Sequence, residues 1–268
     1  MPKPETITSA ANPLVKDVRR AIARGGLTEA GLCVAETFHL LEEALRSDCE
    51  VKHVLAAESV LSAAEAHVRR LAGVKVAVLP DPLFRSVSGT ETSQGIMALV
   101  KPPAWKLEQL FRGTLLVVVL DGLQDPGNAG TIARASEAFG ATGILFLKGS
   151  VSPYNPKTLR ASAGSLFRVP FLHGVDPALA RAALAQKKVE LFAGVPANSR
   201  EPVRPLTFVD FTGRCGFIIG NEAHGVSSLL RTAALDVSIP TVGVESLNAA
   251  MAAGILLYEA RRQRMLRT

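Results

Sequence analysis

Residues 115–140 read LLVVVLDGLQDPGNAGTIARASEAFG. The first six are leucine and valine with no polar break, the composition of a strand buried on both faces, as in a parallel sheet. A polar loop begins at Asp121. Beyond it the spacing predicts a helix over 128–139, with Ile132, Ser136 and Phe139 on one face and Gly140 where a helix stops. Strand, loop and helix form the repeating unit of parallel α/β sheets, whose ligands bind at the carboxyl ends of strands. The loop from Asp121 to Arg134 is therefore a candidate binding loop.

Outward from this unit the pattern continues. Predicted strands at 143–147, 167–172, 189–193, 215–220 and 237–240 alternate with predicted helices at 156–162, 177–187, 226–233 and 247–265. That alternation predicts a mostly parallel sheet with helices on both faces. Toward the N-terminus, the paired prolines of Lys101-Pro-Pro-Ala-Trp105 break regular structure. Before them, helices at 12–23, 36–46, 59–71 and 81–87 alternate with strands at 31–35, 51–57, 74–79 and 95–100. The fold class is α/β throughout, with a small domain over residues 1–105 and a larger one over 106–268.

Composition narrows the function classes. A hydrophobic fraction of 48% and a charged fraction of 20% suit a globular chain. Thirty Lys and Arg face 24 Asp and Glu. Residues 1–105 hold 12 of each sign, so the whole excess of +6 lies in the second half. A basic excess suits a polyanionic partner such as nucleic acid. Cys33, Cys49 and Cys215 are too scattered for a zinc site or a disulfide framework, so no metal is expected and the thiols are expected reduced. The longest apolar runs fall far short of the ~20 residues that span a bilayer, and the first ten residues lack an apolar signal core. The expected location is the cytoplasm, without a membrane partner.

Two further loops follow predicted strands. Gly220-Asn-Glu-Ala-His-Gly225 has the glycine spacing of a phosphate-binding loop, but Val226-Ser227 stands where that loop needs lysine. Gly122, Gly127 and Gly130 likewise miss the G-x-G-x-x-G spacing of a dinucleotide site, which argues against an oxidoreductase. Asn221 and Glu222 form a polar pair at a strand's end, the placement of site residues. His224 fits a general base, a cap or a surface residue equally. The third loop, Ser238 to Asn248, runs into an alanine-rich helix, with Ser246 as its expected cap and Asn248 in its first turn. Asn128 has the corresponding place, an expected cap, in the first loop.

The segments DPGNAGTIARA, IIGNEAHGVS and SIPTVGVESLN, in this order between about Leu116 and Glu259, resemble the three motifs of the SPOUT methyltransferases, in the TrmH/SpoU ribose 2′-O-methyltransferase branch. KTLRASAG at 157–164 also looks like that family, and VAETFHLLEEAL at 34–45 with TSQGIMA at 92–98 resembles its L30e-like RNA-binding domain. The resemblance implies a C-terminal deep trefoil knot, S-adenosylmethionine as methyl donor and a homodimer with its active site at the interface. It implies a cofactor set of Gly220, Asn221, Ile239 and Leu247, and a catalytic set of Asn128, Arg134, Glu222, Ser246 and Asn248. The RNA is expected to be ribosomal rather than transfer RNA, because simple tRNA members of the family lack the N-terminal domain. Ala223 replaces the usual glycine after the glutamate, and Ala249-Ala250 replaces a common Val-Ser. A guanidinium stays protonated, so Arg134 is expected to stabilise a developing alkoxide and hold a phosphate, with Glu222 orienting it or taking the proton. A cofactor- or RNA-binding module without catalysis is the competing expectation.

Overall fold

The structure is a computed structural model that describes residues 4–47, 49–69, 73–90, 92–196 and 202–266. In chain order it runs β1 (Glu5–Thr6), α1 (Pro13–Arg24), β2 (Cys33–Glu36), α2 (Phe38–Arg46), β3 (Glu50–Ala57), α3 (Leu61–Val68), β4 (Lys75–Leu79), α4 (Asp81–Val87) and β5 (Ile96–Lys101). It continues with α5 (Leu107–Leu110), β6 (Leu116–Asp121), α6 (Pro126–Ala138), β7 (Gly143–Leu147), α7 (Pro156–Ser162), β8 (Phe171–Val175) and α8 (Pro177–Gln186). The last elements are β9 (Glu190–Gly194), β10 (Arg204–Pro205), β11 (Cys215–Gly220), α9 (Ser228–Arg231), β12 (Leu235–Ser238) and α10 (Ala249–Met265).

Contacts divide the chain into two compact units, one of residues 1–104 with 152–167 and one of residues 105–151 with 168–268. The segment Ser152–Phe167, assigned by sequence to the second half, thus belongs to the first unit. Its anchor is an ion pair: Arg160 on α7 donates to Glu36 Oε2 at 2.8 Å, and Glu36 is almost wholly buried. The other oxygen of Glu36 accepts the hydroxyl of Thr90 at 3.0 Å and that of Ser88. A buried carboxylate survives only with such partners.

The first unit has a five-stranded sheet in the order β1-β4-β3-β5-β2, with β5 antiparallel to both β2 and β3. Val15, Val18 and Ala21 of α1 join Leu55, Leu79, Phe84 and Met97 in its core. Helix α1 is capped as its sequence suggests: Asn12 accepts the amide of Leu14, Pro13 opens the first turn, and Gly25 closes the helix at φ 61.

The second unit has a seven-stranded sheet in the order β10-β12-β9-β11-β6-β7-β8, and every pairing is parallel. All six residues of β6 are buried, as their unbroken apolarity predicts. The order places the site. From β6 the chain proceeds outward on one side through β7 and β8, and β9 to β12 all lie on the other side. Strand order reverses between β6 and β11, so their carboxyl ends flank the crevice where open α/β sheets bind ligands. Both loops singled out in the sequence leave from those two ends. Helix α10 packs along α6 and is pinned at its far end by Arg264. That guanidinium donates to the carbonyls of Phe211 at 3.0 Å, Leu115 at 2.9 Å and Gly213 at 2.7 Å.

Candidate active site

The loop after β11 is closed by its own backbone. Asn221 and Gly225 exchange two hydrogen bonds, at 3.0 and 2.8 Å, and Gly225 turns at φ 69. The closure brings Gly225 and Val226 against Gly220 so tightly that a Cβ there would lie 2.2 Å from the Gly225 carbonyl carbon. Only glycine fits at position 220. The Asn221 amide fixes the rest of the loop: Nδ2 donates to the Gly122 carbonyl at 2.8 Å, and Oδ1 accepts the amides of Ala223 and His224 at 2.9 and 3.0 Å. Asp121, buried at the end of β6, accepts the Ser227 amide at 2.7 Å. The two loops are therefore stitched together from both sides.

The helix caps differ from expectation. Helix α6 starts at Pro126, and its cap is Asp125, whose carboxylate accepts the Asn128 amide at 2.7 Å. Helix α10 is capped by Asn248, not Ser246; its Oδ1 accepts the amides of Ala250 and Met251 at 2.9 and 3.2 Å. Each displacement has one physical reason: the residue nearest the first turn with a short side-chain acceptor wins the orphan amides. The shift leaves the Asn128 side chain unused by its own helix, and it leaves the Asn248 Nδ2 available beyond its cap.

Those amides form a chain across the three loops. Asn248 Nδ2 donates to Asn128 Oδ1 at 2.9 Å, and Asn128 Nδ2 donates to Glu222 Oε1 at 3.2 Å. Glu222 also accepts the backbone amides of Gln124 and Asp125, each at 3.2 Å. Partial burial alone raises its pKa, but its own amide, those two backbone amides and the Asn128 side chain outweigh that and hold the carboxyl below its ordinary value. Glu222 is thus ionised at neutral pH with its oxygens occupied, which suits an anchor better than a proton acceptor.

Beside this chain lies a cavity of about 680 Å³, within the ~300–1,000 Å³ usual for cofactor sites. Gly220, Asn221, Ile239 and Leu247 line it, with Glu222, Ser246 and Asn248. Val226, Val237 and Leu256 add apolar wall. Arg231, also at the wall, is held by Asp236 through Nε to Oδ2 at 2.9 Å. Asn128 is outside the lining and reaches it through Glu222 and Asn248. Arg134 is exposed on α6 and does not line the cavity. Asp121 and Gln124 escaped the sequence reading. Asp121 had a usable signal, a polar residue at the end of an unbroken apolar strand, which is the same signal that marked Asn221 and Glu222.

A family model described as SpoU rRNA methylase matches residues 115–258, and another, the MRM3-like substrate-binding domain, matches residues 12–98. The chain belongs to the SpoU rRNA methylase family. It is 32% identical to RlmP of Bacillus subtilis, a 23S rRNA guanosine 2′-O-methyltransferase, over 95% of this chain and 98% of that one. It is 34% identical to a 23S rRNA uridine 2′-O-methyltransferase of Streptomyces viridochromogenes, over 71% of this chain and 68% of that one. Among solved structures, the SpoU methyltransferase AviRb from Streptomyces viridochromogenes in complex with AdoMet matches with a TM-score of 0.84 at 28% identity, covering 95% of this chain and 98% of that one. The SpoU family's methyl donor, S-adenosylmethionine, suits the cavity: a glycine cradle where no Cβ can stand, apolar walls for a purine, and loop backbone and carboxylate side chains for polar and charged groups.

Proposed function

We propose that this SpoU methylase transfers a methyl group from S-adenosylmethionine to a ribose 2′-hydroxyl of ribosomal RNA. The observation that carries it is the amide–carboxylate chain Asn248–Asn128–Glu222 beside a cavity walled by the second and third loops. The two relatives are named for nucleosides that differ in their base, a guanosine and a uridine, and for the same 2′-oxygen as target, so the common chemistry is at the sugar.

The donor, when bound, supplies an electrophilic methyl group, and the protein's share is orientation and electrostatics. Gly220, Ile239 and Leu247 would hold it through backbone groups and apolar contact. Asn221 would act by fixing its loop, since its amide is engaged within that loop. Arg134 would stabilise the developing alkoxide and hold a neighbouring phosphate. Glu222 would keep Asn128 oriented, and Ser246 and Asn248 would meet the reacting groups from the third loop.

We infer three accompanying properties. A homodimer through the second unit is supported by apolar side chains left in solvent on the third loop and on α10, Val242, Val244, Met251 and Tyr258. Such an interface would give the exposed Arg134 a place at a shared site. A trefoil knot is supported by family membership and by the third loop sharing one cavity with the second. A cytoplasmic location is supported by the bacterial rRNA relative; among the described residues no helix is long and apolar enough to cross a membrane.

The test is transfer of labelled methyl to unmodified rRNA or tRNA transcripts, followed by nucleoside analysis. Label in a 2′-O-methylnucleoside of rRNA is expected. Label on a base overturns the chemistry, and label in tRNA alone overturns the substrate.

A further inference from the structure

Residues 1–105 are neutral as a whole, yet their charge is sharply segregated. Helix α1 holds four cations, Lys16, Arg19, Arg20 and Arg24, against one carboxylate, Asp17. The rest of that stretch therefore holds eight cations against eleven carboxylates. All four α1 cations are exposed, on the side opposite Val15, Val18 and Ala21. Lys16, Arg20 and Arg24 stand four residues apart in a single row. Like charges at that spacing destabilise a helix, and a merely solvated face interleaves signs instead. Asp17 does little to offset them, because its oxygens accept the Glu29 amide at 2.9 and 3.1 Å; among the described residues only Arg20 of the four has a carboxylate partner, Glu29.

The row is extended at both sides by other elements of the same unit. Arg19 donates to Ser86 of α4 at 3.1 Å, which brings the exposed Arg85 alongside. At the far end Gly25 abuts Asn155: a Cβ on Gly25 would lie 2.6 Å from Asn155 Nδ2. The exposed Lys157 lies two residues beyond, in the segment inserted between β7 and β8.

We propose that this surface, the exposed face of α1 with Arg85 and Lys157, grips the phosphate backbone of the substrate RNA. The proposal rests on the RNA methyltransferase reading and names the part of the substrate-binding unit that meets the RNA. A phosphate row relieves the mutual repulsion of the cations and releases counterions, and it needs no net positive charge on the unit as a whole.

The test measures binding of an unmodified 23S rRNA transcript as a function of salt, independently of methyl transfer. K16Q/R24Q is expected to weaken binding on the order of tenfold and to flatten the slope of log K against log salt by roughly 1.4–1.8, two phosphate contacts' worth. Affinity for AdoMet should hold, and Tm should stay level or rise as repulsion is removed. K157Q, on a different element, should flatten the slope by roughly 0.7–0.9. R46Q, which removes a cation paired with Glu43 on α2, should leave the slope unchanged. A slope unaltered in both K16Q/R24Q and K157Q overturns the proposal, as does a wild-type protein that does not bind the RNA. Wild-type binding with no methyl transfer, and the slope changes intact, sinks the enzymatic reading and leaves the surface standing.

Discussion

Asn128 and Arg134 sit six residues apart on α6, and the fold treats them in opposite ways. Asn128 is held between Asn248 and Glu222, each of which is fixed in turn by backbone amides. Arg134 is exposed and outside the cavity. The first group is preorganised by this chain alone. In the proposed function the second would gain its fixed geometry from RNA or from a second copy. Preorganised dipoles contribute to catalysis without reorganising during the reaction, while a long flexible cation gains most when substrate binding orders it.

Substitutions can break this contrast. The largest effect is expected for Arg134→Ala: kcat reduced by about 10²–10³, typical for loss of one charge-stabilising donor, with AdoMet affinity and Tm unchanged because the side chain supports neither. Co-purified heterodimers of Arg134→Ala and Gly220→Ala protomers sharpen the point. Recovery of activity places Arg134 at the partner's cavity, and no recovery places it at its own. Gly220→Ala comes next. Its Cβ must displace the Gly225 backbone, an overpacking strain of about 1–3 kcal/mol, so calorimetry should show AdoMet binding weakened roughly tenfold to a hundredfold.

Smaller effects are expected at Glu222 and Asn248. The folded-state pKa of Glu222 is depressed, so its stabilising contribution is complete above the usual carboxylate range and is lost as pH falls through the depressed value. Activity limbs above pH 6 should therefore be identical in wild type and Glu222→Gln, and an acid limb that shifts up in the wild type alone would contradict the anchoring role. At Asn248 the two functions separate. Asn248→Ala should cost about 1 kcal/mol in thermal unfolding through loss of the cap. Asn248→Asp keeps the cap acceptor and removes the donor to Asn128, so Tm should hold while kcat falls.

Much of this was legible in the sequence because it depends on local pattern. The apolarity of 115–120 announced a strand buried on both faces, and the second and third motif loops do line one cavity, with the first tied to them through Asn128. Cap identities were less legible. Asn128 and Ser246 are good cap residues by type, but Asp125 and Asn248 stand directly before the first turns, and propensity does not choose between neighbours that differ by two or three residues. Asp121 was passed over because an aspartate before a glycine also marks an ordinary turn.

Periodicity and motif order are properties of short stretches, so the α/β alternation and the family could be read from the chain before it was folded. Folding was needed to bring Ser152–Phe167 into the first unit, to carry Asn248 to Asn128 across 120 residues and to engage Glu222. Those facts rest on which side chains arrive within hydrogen-bonding distance after the sheet has ordered its strands, and chain separation carries no information about that.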